Sequence, residues 1–459
     1  MPQRNQHNAS DRVTQVQRDA QACWEELVEQ RLPANLHEQA RALGAFQRVR
    51  ALPSAQALLR AILCYVLSLS SLKQLSGWSR LVGVSSQVLS AQAWHKRLQR
   101  CGPWLLWLFN ALLALRLRTR ALPTAQRILL VDATHLSQIG PKGETWRLHS
   151  AYDLLAGLLA WMQVSDHHQG ESLARLPMRP GDILVGDKAY SKAPQLVAVD
   201  AARAYALVRF SPWHLPLYAA QSPTETPDFR VDVRAWLGGL RPGTYQRQAA
   251  VFWQGKRLAV RLIAVVLPDE QAEALRQQAQ RQAREKGQHL SDHSLFFAGF
   301  HLMVTTLPAW RWPVPLVLEL YRCRWQIEIL FKRIKQVLDV HRLSCHCPQT
   351  AQAMIAALLV GWLLIEEEAS ELRRQITDAE PLALPLSSWQ LDQWAWATLQ
   401  NVVKGWWSPQ QVRALAPELR RVLTEQRQRP LQEHQRQLRF GALLLPESEL
   451  VSVFDCSSA

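Results

Sequence analysis

Two short aliphatic runs, each closed by an aspartate, place the tightest constraint on how this 459-residue chain folds. Residues 128–131 lead into Asp132, and residues 183–186 lead into Asp187. A continuous apolar run of this length is typical of a strand that is buried on both faces. An aspartate that ends such a strand leans into a cleft while the strand stays in the core. For either residue alone, a turn-forming aspartate is the plainer alternative.

The middle of the chain has strands in sequence followed by an alternation of strands and helices, which predicts a mixed sheet with helices packed on it. Further strands are expected at residues 146–153, 158–164 and 204–209 and, as a hairpin, at 249–253 and 257–266. A charged helix is expected at 269–286 and one long helix at 314–340. The residues after 351 are expected to be mostly helical.

The first part of the chain has a helical pattern that contains a candidate helix-turn-helix. Residues 71–80 and 85–100 predict two helices joined by a tight turn, with a break at Gly102-Pro103. The second helix carries basic side chains that suit phosphates or base edges, namely Lys96, Arg97 and Arg100. An ordinary helical pair with a solvated basic face is the alternative, and the sequence leaves both open.

A third carboxylate lies on the helix that begins near residue 314. On an ideal α-helix, Tyr321, Arg324, Glu328 and Lys335 fall within a stripe about 60° wide. The aliphatic residues of the same helix fall on the opposite side, so the helix presents an acid between two bases and a phenol. A surface ion pair between Arg324 and Glu328 is the alternative, but it would not require the other two residues to share the stripe.

Three carboxylates that come together repel one another, and a divalent cation relieves that repulsion. Hard oxygen ligands suit Mg²⁺ or Mn²⁺, and two such ions about 4 Å apart can activate a water or a 3′-hydroxyl for in-line phosphoryl transfer. The sequence therefore predicts a metal site made by Asp132, Asp187 and Glu328. Arg324 and Lys335 are then placed to hold the flanking phosphates.

The charge balance points to the same substrate. The chain has 53 Lys and Arg against 38 Asp and Glu, a formal charge of +15 that favours polyanions, with nucleic acid the commonest. Three features argue against secreted and membrane-spanning classes of protein. The N-terminus is polar, the longest apolar run has only ten residues at 356–365, and the seven cysteines are an odd number. We expect a cytoplasmic, nucleoid-associated protein with no membrane partner.

These residues resemble a known family. Tyr321, Arg324, Glu328 and Lys335 match the Y-R-E-K signature of bacterial insertion-sequence DDE transposases. The segments LLVDATHL and GDILVGDKAY resemble the first and second aspartate motifs of that family, and GESL at 170–173 resembles part of the pattern between them.

The resemblance implies a role for each matched residue. Asp132, Asp187 and Glu328 would be the catalytic, metal-binding triad of an RNase H-like core. Arg324 and Lys335 would contact phosphates near the transposon end, Tyr321 would help to position them, and Trp325 would stack near the cleaved end.

Two further aspects of DNA contact are left open. Members of the family carry a β-rich insertion with a tryptophan that holds a flipped base; Trp236 and Trp253 are candidates, although a buried hairpin tryptophan is the alternative for each. Lys188, directly after Asp187, is either a DNA contact or a solvated lysine.

We therefore predict an α/β fold in which an RNase H-like mixed-sheet core is interrupted by a β-rich insertion and flanked by helical regions. The predicted divisions are a DNA-binding region at 1–125, core parts at 126–210 and 301–365, the insertion at 211–300 and a helical C-terminal region at 366–459.

The predicted function is cut-and-paste DNA transposition: metal-dependent cleavage at transposon ends and 3′-hydroxyl strand transfer into target DNA. The expected partners are double-stranded DNA, as terminal inverted repeats and target, and a second copy of the chain in the synaptic complex. The resemblance implies a hairpin route for the second strand. The alternatives are a catalytically inactive DNA-binding relative and an RNase H-like nuclease without strand transfer.

Overall fold

The computed structural model describes residues 21–119, 126–138, 145–166, 168–285, 287–338, 342–343, 345, 347–379, 385–405, 432 and 435–441. Its helices are α1 (21–31), α2 (Leu36–Ala42), α3 (Ala55–Ser68), α4 (Leu72–Leu81), α5 (Ala91–Thr119), α6 (Ala193–Ala201), α7 (Val233–Gly238), α8 (Asp269–Glu285), α9 (Asp292–Ala298), α10 (Val314–Cys323), α11 (Trp325–Val337), α12 (Pro348–Ala379), α13 (Ser388–Lys404) and α14 (435–441). Its strands are β1 (Ile128–Gln138), β2 (Thr145–Asp153), β3 (Leu158–Asp166), β4 (Ile183–Gly186), β5 (Tyr205–Arg209), β6 (Tyr218–Ala219), β7 (Gly243–Trp253), β8 (Lys256–Val266), β9 (Phe300–Thr305) and β10 (Arg342–Leu343).

The chain divides into two compact units, and the first is mainly helical. It comprises Met1–Ala121, His135–Trp146 and Leu330–Gln435. Helix α12 is its central element and packs against α3, α5 and α13. By length and composition this helix could span a membrane. However, 83% of its most apolar 18-residue stretch is buried inside the protein, so its hydropathy is accounted for by its place in the core.

A buried ion pair joins the two longest helices of this unit. Arg116 of α5 pairs with Glu366 of α12, and their side chains are 6% and 5% exposed. Glu367 and Glu368 lie within ion-pair distance of Arg31. The acidic run at 366–368 is therefore a set of partners for basic residues rather than a uniformly solvated helix surface.

The second unit contains the sheet. It comprises Leu122–Thr134, Arg147–Ile329 and Arg436–Ala459. The strand order is β3-β2-β1-β4-β5-β9-β8-β7-β6, with β10 beside β1. Strands β1, β4 and β5 are mutually parallel, whereas β5, β9, β8, β7 and β6 pair in antiparallel fashion. The mixed α/β architecture that the sequence predicts is confirmed at this level.

The register of β1 against β4 aligns the two aspartate segments. Leu130 lies opposite Val185, so two further residues along each parallel strand bring Asp132 level with Asp187. At the other end of the same strands, the guanidinium of Arg127 donates to both carboxylate oxygens of the fully buried Asp182 at 2.9 and 2.5 Å. This ion pair fixes the register at the end opposite the aspartates.

The predicted hairpin and charged helix are confirmed, with longer strands than expected. Strands β7 and β8 pair from Gly243–Val266 to Trp253–Lys256. Gln254 and Gly255 both have positive φ, at 48° and 73°, which is the backbone that a two-residue turn of a twisted hairpin requires. The hairpin adds to the main sheet through β9.

Three expectations were wrong in their boundaries. Strand β1 does not end at Asp132 but continues to Gln138, because Ser137 and Gln138 pair with Arg342 and Leu343. Helix α5 begins at Ala91 instead of residue 85, so residues 82–90 and not a tight turn separate it from α4, and it runs through Pro103 to Thr119 instead of breaking at Gly102-Pro103.

The third is the long helix predicted at 314–340, which is two helices that meet at Arg324. The remaining part of the C-terminal prediction, residues 406–431, lies outside the described residues.

Breaking the Arg116–Glu366 pair tests the helical unit. Replacing Glu366 by alanine is expected to lower the free energy of unfolding of that unit by about 3 kcal/mol, because it leaves a buried guanidinium without its main carboxylate. The matched control is Arg374→Ala on the same helix, whose side chain is 61% exposed and pairs with Glu371 and Asp378 at the surface. Thermal melts should show a lower Tm for the first variant alone; equal melting temperatures would contradict the prediction.

Candidate active site

The two aspartates lie at the end of the β1–β4 ladder, and each uses one carboxylate oxygen locally. The Ala133 N–H donates to Asp132 Oδ1 at 2.8 Å, and the Ala189 N–H donates to Asp187 Oδ1 at 2.8 Å. The second bond caps the short 3₁₀ helix Lys188–Tyr190. Asp132 Oδ2 faces Arg324 instead.

Arg324 joins the sheet to the helix that carries Glu328. Its Nη1 lies 3.7 Å from Asp132 Oδ2, and its Nη2 forms an ion pair with Glu328 Oε1. The guanidinium also lies 6.0 Å from the ring centroid of Tyr321. Arg324 therefore contacts two of the other three residues in the predicted helical stripe, and it also reaches the first aspartate.

The backbone around Arg324 is wound more tightly than an α-helix. The Arg324 N–H donates to Tyr321 O at 3.1 Å, and the Ile327 N–H donates to Arg324 O at 3.2 Å, both with a spacing of three residues. This local change ends α10 and begins α11. Lys335 lies about two turns after Glu328 on α11 and is half-buried, with burial lowering the pKa of its ammonium.

The surroundings of the site disfavour the ionised form of the Asp132 carboxyl. Burial raises the pKa of Asp132 from 3.8 to about 7, with smaller upward contributions from Asp187 and Glu171 and opposing ones from the Ala133 N–H and Arg324. Burial alone would lower the pKa of Arg324, but Tyr321, Glu328 and Asp132 together raise it above its ordinary value. The site thus holds negative charge that one arginine only partly offsets.

Close packing fixes the segment that carries Asp187. Gly186 precedes Asp187 and lies against the ring of Tyr190, which is 1% exposed; a Cβ at Gly186 would come within 2.9 Å of that ring. Burial and the charges of Glu171, Asp132 and Asp187 raise the pKa of the Tyr190 phenol. Tyr190 therefore lies beside the site. Its residue type alone did not predict this position.

Glu171 is a fourth carboxylate near the site. Burial raises its pKa, as does the charge of Asp187. The buried amide of Gln195 holds the segment: it donates to Glu171 O and accepts from the Leu173 N–H, both at 3.1 Å. The GESL motif was the only sequence signal for this residue.

Basic and aromatic residues surround the carboxylates within the second unit. Lys188 is exposed, and Trp325 is half-buried at the start of α11. Burial has the largest effect on both neighbouring groups: it lowers the pKa of Lys188 and raises the pKa of Tyr321. The charge of Arg209, at the end of β5, lowers the pKa of each. Arg209 is a residue that sequence reasoning missed, since nothing in its own strand sets it apart.

The other DNA-contact candidates lie elsewhere. Lys96 and Arg100 are exposed on α5 of the first unit, and Arg97 is half-buried and donates to Ala93 O at 3.0 Å. Trp236 lies on α7 rather than in a hairpin, and Trp253 ends β7 beside the hairpin turn with 40% of its surface exposed. Their contacts with DNA stay predictions.

The donor chemistry of the site fits a divalent cation, since carboxylate oxygens are the ligands that Mg²⁺ and Mn²⁺ prefer. Within the described part of the chain, however, no three acidic or imidazole side chains converge closely enough to hold an ion as they stand. Arg324 lies between Asp132 and Glu328. Binding of an ion therefore requires a side-chain rearrangement at this arginine.

A mixed sheet with two aspartates at one edge, joined through an arginine to a helical glutamate, defines an α/β protein with a carboxylate-rich site. A family model described as "Transposase DDE domain" matches residues 123–364, more than half of the chain. The chain belongs to the DDE transposases of insertion sequences. It is an enzyme that catalyses DNA cleavage and strand transfer in transposition.

Individual relatives agree with this assignment. The chain is 30% identical over 343 residues to the transposase of insertion sequence element IS421 from Escherichia coli, covering 73% of this chain and 90% of that one. It is 26% identical over 375 residues to the transposase of IS231B from Bacillus thuringiensis subsp. berliner, covering 72% and 78%. Both alignments therefore extend over most of each protein.

Replacing Asp132 by asparagine is expected to stabilise the protein at neutral pH. Between about pH 4 and 7 the folded chain keeps a proton on Asp132 that the unfolded chain has released, so the cost of the buried charge grows over this range and is complete above pH 7. Thermal melts in EDTA should show a gain of about 1 kcal/mol or more at pH 8 that disappears at pH 4. A lower Tm than the parent protein at pH 8 would contradict this.

The matched control for that experiment is Asp182→Asn. This aspartate is also buried, but it is paired with Arg127 and accepts the Arg179 N–H. Its replacement leaves Arg127 without a carboxylate and should lower the Tm at pH 8.

Replacing Gly186 by alanine is expected to reduce DNA cleavage by about 100-fold while the protein stays folded. The added Cβ would overlap the ring of Tyr190, which is enclosed and cannot yield, so the backbone that carries Asp187 must shift. Nicking of a duplex that contains an element end measures the effect. Gly238→Ala is the control, because a Cβ there meets no atom within 4 Å. Full activity in the Gly186 variant would show that Asp187 placement does not depend on this contact.

Proposed function

We propose that Asp132, Asp187 and Glu328 are the catalytic carboxylates of this transposase and hold Mg²⁺ or Mn²⁺ during DNA cleavage and strand transfer. The observation that carries the proposal is the link made by Arg324. It contacts Asp132 on the sheet and Glu328 on the helix, while the β1–β4 register sets Asp187 beside Asp132. Residues from three distant parts of the sequence thus meet at one edge of the sheet.

We infer that the sheet is an RNase H-like core with an insertion. The order β3-β2-β1-β4-β5 and the parallel run through β1, β4 and β5 support this, as do the aspartates at the ends of the paired segments. The β7–β8 hairpin and helix α8 lie within the predicted insertion at 211–300. The five-part division of the chain, with DNA-binding helices at the N-terminus, is part of the same proposal.

The residues of the site then have separate roles. A bound divalent ion supplies Lewis-acid activation of a water or a 3′-hydroxyl and stabilises the leaving oxygen. The three carboxylates hold that ion, and Arg324 and Lys335 bind the phosphates on either side of the scissile bond. Tyr321 orients Arg324 through its ring face, 6.0 Å from the guanidinium. Trp325 stacks near the cleaved end.

Double-stranded DNA is the proposed partner, as terminal inverted repeats and as target. The +15 charge favours it, and so does Lys335, a half-buried lysine that forms no ion pair within the described residues. We further propose a dimer that pairs two element ends, a hairpin route for the second strand, and association with the nucleoid through non-specific DNA binding.

The assignment of Lys335 to a phosphate predicts a change in salt dependence. Lys335→Gln is expected to weaken duplex binding and to reduce the slope of log K against log salt concentration by about 1, the loss of one phosphate contact. Fluorescence anisotropy over a salt series measures this. Lys332→Gln, on the exposed side of the same helix, removes the same charge and should leave the slope nearly unchanged. Equal slopes in the two variants would contradict the assignment.

The triad is tested by single replacements. Asp132→Ala, Asp187→Ala and Glu328→Ala should each abolish Mg²⁺-dependent nicking of an element-end duplex and joining to a target plasmid, whereas Asp200→Ala, at an exposed aspartate on α6, should not. Cleavage that survives all three changes would reject the triad. Nicking without joining in the unaltered protein would favour a nuclease, and DNA binding without nicking would favour an inactive relative.

A further inference from the structure

The oxygens that Arg324 contacts are those that a cation would need. Asp132 Oδ1 accepts the Ala133 N–H, and Oδ2 is the oxygen that faces Arg324 Nη1. Glu328 meets Arg324 Nη2 through Oε1. The Arg324 side chain is 17% exposed and that of Asp132 16%, so their contact is largely shielded from water and weakly screened by salt.

A guanidinium and a divalent cation cannot occupy the same position between two carboxylates. Both are positive, and both need the same lone pairs. A phosphate, in contrast, competes with the carboxylates for the guanidinium itself, since the planar fork of arginine binds either anion in a bidentate manner. The same side chain therefore has two mutually exclusive sets of partners.

We propose that Arg324 is an internal counter-ion that competes with the divalent cation, and that its transfer to a DNA phosphate couples cation binding to DNA binding. The inference rests on the proposed function, because it takes Asp132 and Glu328 as cation ligands. The competition and the coupling come in addition to the phosphate contact of Arg324 under the proposed function.

The coupling has a direction that follows from linkage. If DNA draws Arg324 away from Asp132 and Glu328, it removes the competitor and raises cation affinity, and the cation must raise DNA affinity by the same factor. In the present arrangement the guanidinium lies over the ring of Tyr321, 6.0 Å from its centroid. Cation loading is then favoured when a substrate phosphate is present.

A general field effect is the main competing explanation, since removing any nearby positive charge favours a cation. Arg322 offers the matched comparison. It is two residues away, exposed, and forms no ion pair within the described residues. Arg322→Gln removes the same unit of charge without breaking a contact to Asp132 or Glu328.

The first experiment measures Mn²⁺ binding by electron paramagnetic resonance in the full-length protein without DNA. Arg324→Gln should bind Mn²⁺ about tenfold more tightly than the unaltered protein, whereas Arg322→Gln should change affinity by about twofold or less. Arg324→Lys should lie between, because an ammonium keeps the charge but does not span both carboxylates. If Arg324→Gln fails to fold, Arg324→Lys carries the test. An Arg324 variant that binds no more tightly than Arg322→Gln overturns the proposal.

The second experiment repeats the titration with a 40-base-pair duplex taken from the element end, after subtraction of Mn²⁺ bound by the duplex alone. The duplex should raise the Mn²⁺ affinity of the unaltered protein severalfold and that of Arg324→Gln very little. An equal increase in the two proteins, or no increase in either, overturns the coupling.

A double variant separates failure of this inference from failure of the proposed function. Asp132→Asn combined with Arg324→Gln should lose the tight Mn²⁺ site. If it keeps that site, the cation lies elsewhere and the triad assignment fails together with the inference. If the site depends on Asp132 but Arg324→Gln does not tighten it, the triad stands and only the competition is rejected.

Discussion

Parallel pairing of β1 with β4 is the constraint on which the rest of the site depends. Because the paired segments of the two strands end level at Leu130 and Val185, Asp132 and Asp187 arrive at the same edge of the sheet. The Arg127–Asp182 ion pair holds the opposite end of the ladder, and the contact of Gly186 with Tyr190 fixes the turn after β4. A shift of one residue in the pairing would point Asp132 to the other face of the sheet. The register therefore determines which side chains form the site as well as how the strands pair.

Buried carboxylates are treated in opposite ways at two places in the chain. In the helical unit, Arg116 and Glu366 are both almost fully buried and pair with each other. In the sheet unit, Asp132 is mostly buried yet has its nearest cation 3.7 Å away, and burial raises its pKa to about 7. The first arrangement balances its own charge, whereas burial of Asp132 disfavours the ionised form of that carboxyl in the folded chain. A site that binds an external cation keeps an uncompensated negative charge of this kind, because a carboxylate that is already paired gains little from binding another cation.

Local sequence predicted the features that depend on local physics. The aliphatic runs before Asp132 and Asp187 are strands, and positive φ at Gln254 and Gly255 closes the hairpin. The errors came from distant partners. Strand β1 extends to Gln138 because residues 342–343 pair with it, and α5 continues through Pro103 where Gly102 lies against Ala353. The contact of Arg324 with Asp132 joins residues 192 positions apart, which no pattern within one helix reveals.

Arginine rather than lysine at position 324 follows from the geometry. The side chain must reach Asp132 on one side and Glu328 on the other, and separate guanidinium nitrogens do so. A lysine offers a compact charge on one nitrogen and would neutralise one carboxylate while leaving the other exposed to repulsion. The break between α10 and α11 contributes as well: the three-residue hydrogen-bond spacing on either side of Arg324 turns the helix locally without a glycine or proline. The helix is thus deformed at the residue that links it to the sheet, and Asp132 and Glu328 can lie on either side of this arginine because it carries the opposite charge.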